Sequence, residues 1–480
     1  MNDPGPQEMF DALFARLPGV AAWCRRAEGS VLDVLRAGRA LAGPGRGASP
    51  RLASVMTGAV SSLLGAKAGA ALAQSLARDA HVLAAHHHGV DCHPEFIQAT
   101  LMAALPGLLD GTGGAPPILA CSTVPLHSFS YPRGLLAVPS IRLPLQPGSY
   151  RHLFVHTAPP LQADTVRALA RRWDLDRLPP RLQALLPRLL EEHILSPDVM
   201  DLPSFSQQIT RINASLWQAL HGPDAAPLIA LDMESIVMPL LRDALSNEES
   251  LVHALLFQPE IRSMLHARLQ GVPGCWSPAR TGTDGEGRGT AFFWFMEKGR
   301  HRRLRLEDGP EPRLVHAAGS LPLRPEILLD GLENGTLLPG LYLSYTLLFH
   351  DHGLFPHGGM YMQDYLPRML NTTADLARIL GFPATGGIPG GRPALATAFM
   401  PLRVRREEGR PGAGLLELLA DRERVGKALS WIATLPARRV FHFAAVDWYE
   451  ECVPEDKRIP GWPSICRHLV EDAPGLDLAS

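Results

Sequence analysis

Short apolar runs that alternate with helical stretches are the feature of this sequence that most restricts its fold. They cover residues 81–85, 117–121 and 227–231, and the segment 96–109 carries apolar residues at helical spacing. A fully apolar run this short, followed by polar residues, is typical of a strand buried on both faces. Such strands separated by helices predict an α/β protein with a mostly parallel sheet core.

The segments on either side of this pattern have a different texture. Residues 6–40 show helical periodicity, and the Ala-rich stretch from Leu52 to Ala77 predicts one long helix. Further along, a hairpin pattern at 292–306 is followed by helices and by a strand candidate at 440–446. The sequence therefore predicts extra N-terminal helices and a mixed α+β C-terminal half around the sheet core.

The length of 480 residues is too great for one ordinary hydrophobic core and predicts several units. A Gly-rich polar stretch marks a linker between two of them. Within the second unit, 152–156 is one more strand candidate. The predicted division is a helical segment 1–79, an α/β domain 80–270, a linker 271–289 and a mixed α+β domain 290–480.

Charge and cysteine usage restrict the partners and the compartment. The formal net charge is −2, so no general basic field would attract nucleic acid or an anionic membrane. The six cysteines lie far apart, which favours reduced thiols rather than a disulfide framework. The N-terminus lacks the basic and apolar regions of a signal peptide. These features predict a cytoplasmic protein that acts on a small molecule, and they leave the oligomeric state open.

The histidines carry the strongest functional signal. Two distant segments, His86–His93 and His350–His357, share the pattern H-x-H-G-Φ-x-x-H, where Φ is apolar. Histidines two positions apart on an extended segment point to the same side, and the following Gly lets the chain turn back with a third. The pattern predicts a divalent metal site, with zinc, manganese or iron as the ion. The predicted ligands are His86, His88, His93, His350, His352 and His357.

The first segment also permits a metal-free interpretation. His86-His87-x-x-x-Asp91 resembles the HHxxxD signature of the chloramphenicol-acetyltransferase-like and condensation-domain proteins. That resemblance implies acyl transfer, with His87 as the general base and Asp91 as a structural partner. It covers six residues. The Gly that usually follows the Asp is Cys92 here, and the later DFGWG-type motif is not visible.

Three further groups qualify as site residues. Tyr131 and Arg133 lie in a polar loop after the run 117–121, where Arg133 could clamp a carboxylate or phosphate. Asp232 and Glu234 follow the run 227–231; Glu234 is a candidate base, although the pattern favours a helix N-terminal role for both carboxylates. After the second histidine segment, Gln363 and Asp364 could bind a ligand from a helix start.

Three functions follow from these patterns. The first is a cytoplasmic enzyme with a His-rich site between two halves of the chain, performing metal-assisted hydrolysis or group transfer on a small anionic metabolite. Metal-bound water would be its nucleophile, and Asp91 or Glu234 its proton acceptor. The second is a metal-free acyl or amino-group transferase that uses His87 as its base. The third is a non-enzymatic protein that binds a ligand or metal.

Overall fold

The structure is a computed structural model that describes residues 5–40, 47–84, 86–111, 114–138, 140–276, 289–297, 299–382, 399–405 and 410–478. Helices predominate. They are α1 Pro6–Arg16, α2 Pro18–Arg26, α3 Val31–Ala40, α4 Pro50–Leu64, α5 Ala66–Arg78, α6 Pro94–Asp110, α7 Ala163–Ala170, α8 Pro180–Leu189, α9 Pro197–Met200, α10 Phe205–His221, α11 Met233–Ser246, α12 Leu251–Phe257, α13 Pro259–Leu269, α14 Pro325–Glu333, α15 Leu341–Tyr345, α16 Met362–Ile379, α17 Leu415–Ala420, α18 Arg422–Thr434, α19 Ala437–Cys452 and α20 Trp462–Leu469.

The strands are short. They are β1 His81–Leu83, β2 Ile118–Ala120, β3 Gly134–Ala137, β4 Ile141–Pro144, β5 Ala230–Asp232, β6 Phe293–Glu297, β7 Arg300–Arg303, β8 Arg305–Glu307, β9 Arg313–His316, β10 Gly319–Pro322, β11 Leu337–Pro339, β12 Phe355–His357, β13 Arg403–Val404 and β14 Gly475–Leu476. The expected mixture of helix and sheet is confirmed.

A four-stranded sheet with the order β12-β1-β2-β5 is the central β element, and its neighbouring strands all run parallel. β1, β2 and β5 are the three apolar runs of the sequence. The fourth strand, β12, ends at His357 and pairs Phe355 with His81. The first histidine segment therefore follows β1, and the second ends with the neighbouring strand β12, although the two segments are distant in the chain.

The antiparallel sheets among the described residues are smaller. The expected hairpin is present as β6 and β7, which pair with β11 in a three-stranded sheet. The second strand of this hairpin, β7, ends before Leu304, because the next residues form β8 and pair with β9 instead of β6. β3 and β4 form another hairpin directly after the polar loop that contains Tyr131.

Three expectations about individual elements are wrong. The stretch from Leu52 to Ala77 forms α4 and α5, because Gly65 adopts a φ of +92° between them. Residues 440–446 belong to helix α19, whose buried side chains recur at helical spacing rather than on alternate positions. Segment 152–156 forms no strand; its end enters a turn of 3₁₀ helix, Val155–Thr157.

The N-terminal helices divide between two hydrophobic cores. α1 to α3 share a core with the C-terminal helices, as Leu13 packs in the same cluster as Phe441, and the Val31 amide donates to Leu435 O over 2.9 Å. α4 and α5 contribute Leu52 and Leu72 to a second core that also holds α11 and α16. Both cores thus combine early and late parts of the chain. Residues 277–288 of the expected linker lie outside the described residues.

Of the helices in the described ranges, none is both long and apolar enough to cross a membrane.

Candidate functional site

The first histidine segment leaves β1 and continues beside the end of β2. The Cys121 amide donates to His86 O over 2.7 Å, and the His88 amide donates to Cys121 O over 2.9 Å. His87 thus lies opposite Cys121 past the carboxyl end of the sheet. In parallel α/β sheets this edge is where ligands bind.

His87 and Ser130 form a hydrogen-bonded pair at this edge. His87 Nδ1 lies 2.8 Å from Ser130 Oγ, a normal distance for a hydroxyl that donates to an imidazole. Ser128 Oγ is 3.1 Å from Ser130 Oγ and 3.4 Å from the same ring nitrogen. With its proton on Nε2, His87 accepts the Ser130 proton at Nδ1, which is the arrangement of a serine nucleophile and its base.

Aromatic rings hold the imidazole in place. Phe129 and Phe96 meet the His87 ring edge-on, with ring centroids 5.0 and 5.4 Å away. Phe129 is 53% exposed, so the pair lies near solvent although Ser130 itself is buried. His93 packs against the same two phenyl rings, and within the described residues its buried Nδ1 has no hydrogen-bond partner. A buried polar atom without a partner is unusual in a native structure and deserves a functional explanation.

The backbone directly after Ser130 is strained. Tyr131 adopts a φ of +55°, a left-handed conformation that is uncommon for a bulky residue. Strain of this kind persists where the surrounding structure enforces it, and it concentrates at active sites. The ring of Tyr131 is buried under Arg133 and Arg142, whose guanidinium carbons lie 5.2 and 5.3 Å from its centroid. Arg133 therefore lies three positions after Ser130 in the sequence and contacts Tyr131, the residue that directly follows Ser130.

The imidazole of His87 is held neutral. Burial lowers its pKa to about 4, and the neighbouring His93 and His86 contribute in the same direction. Burial raises the pKa of Asp91 to about 7. Asp91 accepts a weak bond from Thr100 over 3.4 Å, and no hydrogen bond or ion pair joins it to His87 in the described part of the chain. Asp91 thus connects the histidine segment to α6 through Thr100 and does not orient the His87 ring directly.

His86 and His88 do not converge. His86 Nε2 lies 3.2 Å from Thr100 Oγ1 on α6, whereas His88 Nε2 lies 3.0 Å from Ser206 O on α10. The chain bends at His88 and Gly89, directly after the bridge between His87 and Cys121, so the simple alternation of an extended strand does not continue past His87. Each ring is committed to a different helix.

The second histidine segment is spread along the approach to β12 and the strand itself. His352 Nδ1 lies 2.6 Å from Ser49 Oγ, and His350 Nδ1 lies 2.8 Å from Asp351 Oδ1, both before the strand begins. His357 ends the strand, and its ring contacts His81. The described residues contain no group of three or more His, Cys, Asp or Glu side chains that could hold a metal ion.

Two buried carboxylates anchor the loop after β2. Both oxygens of Glu234 are engaged: one accepts from the Ser122 amide over 2.7 Å, the other from the Thr123 hydroxyl over 2.7 Å. Asp232 caps α11 by accepting from the Ser235 amide, and it accepts from His156 Nδ1 over 2.9 Å. The expected helix-start role therefore matches the contacts of Asp232, whereas the contacts of Glu234 hold the loop after β2.

His156 and Asp232 form a buried ion pair. Burial works against the charged form of His156, but the charge and hydrogen bond of Asp232 raise its pKa to about 9. For Asp232 burial again favours the neutral form, yet the charge of His156 holds the pKa of the carboxyl well below its usual range. The pair ties the segment after β4 to the end of β5.

Gln363 and Asp364 begin α16 on its side facing α2. Asp364 Oδ1 accepts from the Gly19 amide over 2.6 Å, which accounts for one of its carboxylate oxygens. The amide of Gln363 is buried, and neither its oxygen nor its nitrogen has a partner in the ranges described. Of the two residues, Gln363 is the one with unused hydrogen-bonding capacity.

The sequence pattern indicates His87 and the polar loop of Tyr131 and Arg133, but it does not identify Ser130, Phe129 or His156 as site residues. Ser130 could have been found by asking which hydroxyls follow β2, because the carboxyl ends of neighbouring parallel strands meet at one edge. His156 carries no such signal, since the sequence pattern predicts a strand where the chain forms a turn of 3₁₀ helix.

Comparison with known proteins gives no relative. No protein family, curated protein or solved structure matches this chain. The geometry of the site is therefore the basis for inferring a function.

Proposed function

We propose that the chain is a metal-free acyl-transfer enzyme, a hydrolase or transferase, with Ser130 as nucleophile and His87 as its general base. The observation that carries the proposal is the 2.8 Å separation between Ser130 Oγ and His87 Nδ1 past the carboxyl end of β1. His87 is the base that the HHxxxD-like pattern implies, and Ser130 supplies the partner that this pattern does not contain.

The reaction follows from the pair. Ser130 Oγ attacks the carbonyl carbon of an ester or thioester while its proton moves to His87 Nδ1. The tetrahedral intermediate then expels the alcohol or thiol, which takes the proton from His87 and leaves an acyl group on Ser130. Water or a second acceptor then gives a proton to His87 and attacks the acyl carbon. The bond to Ser130 Oγ breaks, and Oγ takes the proton back from His87.

The surroundings favour an apolar acyl group. Phe129 is exposed beside the pair, and Phe96 forms the inner side of the same aromatic group. Exposed aromatic surface next to a polar reacting pair suits a substrate with an apolar acyl chain, because burying such a chain against the rings removes apolar area from water.

Hydrolysis of p-nitrophenyl butyrate tests the proposal. His87→Ala should lower kcat/KM by roughly 10²–10⁴-fold, the usual worth of a positioned general base. Ser130→Ala should lower it at least as much, whereas exposed controls, His127→Ala and Ser149→Ala, should behave like the parent. All variants must melt like the parent. Full activity in Ser130→Ala would overturn the proposal.

Metal dependence separates this function from the metal-assisted reaction that the histidine pattern predicts. Dialysis of the purified protein against a chelator should leave the hydrolysis rate unchanged, since neither Ser130 nor His87 needs a cation for this step. A rate that falls on dialysis and returns with zinc, manganese or iron would favour the metal-assisted reaction instead.

A further inference from the structure

A cavity of about 590 Å³ lies at the opposite edge of the sheet from Ser130 and His87. It is lined by the segments that lead into β1, β2 and β5, including His81, Pro117 and Ile229, and by helices α3 and α5. Its volume falls within the range of about 300–1,000 Å³ that small-molecule sites occupy. The acyl-transfer reaction makes no use of it.

Two arginines face this cavity. Arg39 extends from α3 and Arg78 from the end of α5. One nitrogen of Arg39 donates to Ala103 O over 2.9 Å. Burial lowers the pKa of Arg39 from its ordinary value, and the charge of Arg78 lowers it further. The two cations therefore lie close enough to repel each other.

The two carboxylates near these arginines each contact another residue. Asp79, the one acid among the described lining residues, lies 3.0 Å from His81 Nε2. Asp110, whose negative charge raises the pKa of Arg39, forms a 2.7 Å ion pair with Arg36. In the part of the chain that is described, neither carboxylate forms an ion pair with Arg39 or Arg78.

We propose that this cavity binds a small anionic metabolite, whose phosphate or carboxylate group is held by Arg39 and Arg78. Guanidinium groups bind both kinds of anion through paired hydrogen bonds. The remaining wall offers Gln74 and Ser75 for further polar contacts and Leu72 and Ile229 for an apolar body. An anion between the two arginines would remove their mutual repulsion. The proposal is independent of the reaction at Ser130.

Isothermal titration calorimetry of the full chain with inorganic pyrophosphate and with citrate tests the site. The parent should bind at least one of them saturably, one molecule per chain; pyrophosphate represents phosphate ligands and citrate represents carboxylate ligands. Arg78→Gln should weaken that binding roughly tenfold or more, the size expected for a lost charge-assisted hydrogen bond. Arg78 is exposed, so this variant should fold.

Lys67→Gln is the matched control, because Lys67 is exposed on the same helix and lies outside the cavity lining. It removes the same charge and should leave binding unchanged. The proposal is overturned if neither probe binds the parent at millimolar concentration, if Arg78→Gln binds as tightly as the parent, or if both variants weaken binding equally.

Discussion

At the scale of single residues, the protonation state of His87 decides what the site can do. A protonated imidazole could not accept the Ser130 proton, and burial among aromatic rings prevents protonation near neutral pH. The hydroxyl of Ser128 lies farther from the same nitrogen than that of Ser130. In the proposed reaction, this shorter distance favours Ser130 over Ser128 as the nucleophile.

The pH dependence of the reaction should report this environment. Because the pKa of His87 is lowered to about 4, kcat/KM should stay level as pH falls from 7 to 5 and decline only as it approaches 4. A solvent-exposed imidazole would titrate near 6.5 instead. The measurement is the pH profile of kcat/KM on p-nitrophenyl butyrate, corrected with Ser130→Ala; an acid limb centred near 6.5 would contradict the description of the site.

The ion pair of His156 and Asp232 predicts a pH-dependent stability. The folded pKa of His156 lies above its unfolded value, so its contribution is fully present below about pH 6.5 and is lost as pH rises through about 9. His156→Gln leaves Asp232 buried without its cation and should cost roughly 3 kcal/mol at pH 6. That cost should shrink at pH 9.5.

Denaturant unfolding of the parent and His156→Gln at both pH values measures this difference. His468→Gln serves as the control, because His468 is 82% exposed and should change stability little at either pH. A cost for His156→Gln that is the same at pH 6 and pH 9.5 would show that the pair is not charged.

At the scale of elements, the position of β12 depends on a close approach at Gly358. A Cβ atom there would lie 3.0 Å from Ala84 O and would overlap Met362 Sδ. The absence of a side chain thus lets the chain pass directly over the end of β1 before α16 begins. Gly358, the first of the two glycines after His357, therefore allows the chain to pack closely against the end of β1.

Gly358→Ala should therefore destabilise the fold by roughly 1–3 kcal/mol, the usual cost of overpacking a buried position. Gly426→Ala is the control, since no atom of the described residues lies within 4 Å of its Cβ position on α18, and it should stabilise the fold by about 0.4–1 kcal/mol. Denaturation midpoints measure both changes. An unchanged midpoint for Gly358→Ala would mean that β12 can move away from β1.

At the scale of the whole molecule, early and late parts of the chain depend on each other. β12 completes the sheet beside β1, and the hydrophobic core of α1 to α3 includes residues of α19. Fragments 1–276 and 289–480 would each expose one side of these interfaces. Expressed separately, neither should unfold cooperatively, as followed by circular dichroism on heating. Two cooperative transitions would instead support the division into independent domains around the linker.

The sequence revealed the parts of the fold that depend on local pattern. The three apolar runs gave β1, β2 and β5, because a short buried strand is recognisable without its neighbours. β12 was not recognised as a strand, since Phe355-Pro356-His357 is only three residues long and contains a proline. Its pairing with β1 is a long-range contact that no local pattern encodes.

The candidate site also depends on long-range contacts that a local sequence pattern does not reveal. His87 could be selected from its motif, but its partner Ser130 depends on how the loop after β2 folds back over the sheet. The histidine repeat predicted convergence of six rings, whereas His86, His88 and His352 each contact a different neighbour. Side-chain direction depends on where the chain bends, and spacing alone does not determine those bends.

Covalent labelling tests the central claim most directly, because it needs no knowledge of the natural substrate. A fluorophosphonate reacts with an activated serine: the Oγ–P bond forms, the P–F bond breaks, fluoride leaves and the base takes the proton. Peptide mass spectrometry of the labelled chain should find one adduct, on Ser130, and its rate of formation should fall roughly 10²-fold or more in His87→Ala. An adduct on Ser128 instead, or no adduct at all on the folded parent, would contradict the assignment of Ser130 and His87 as nucleophile and base.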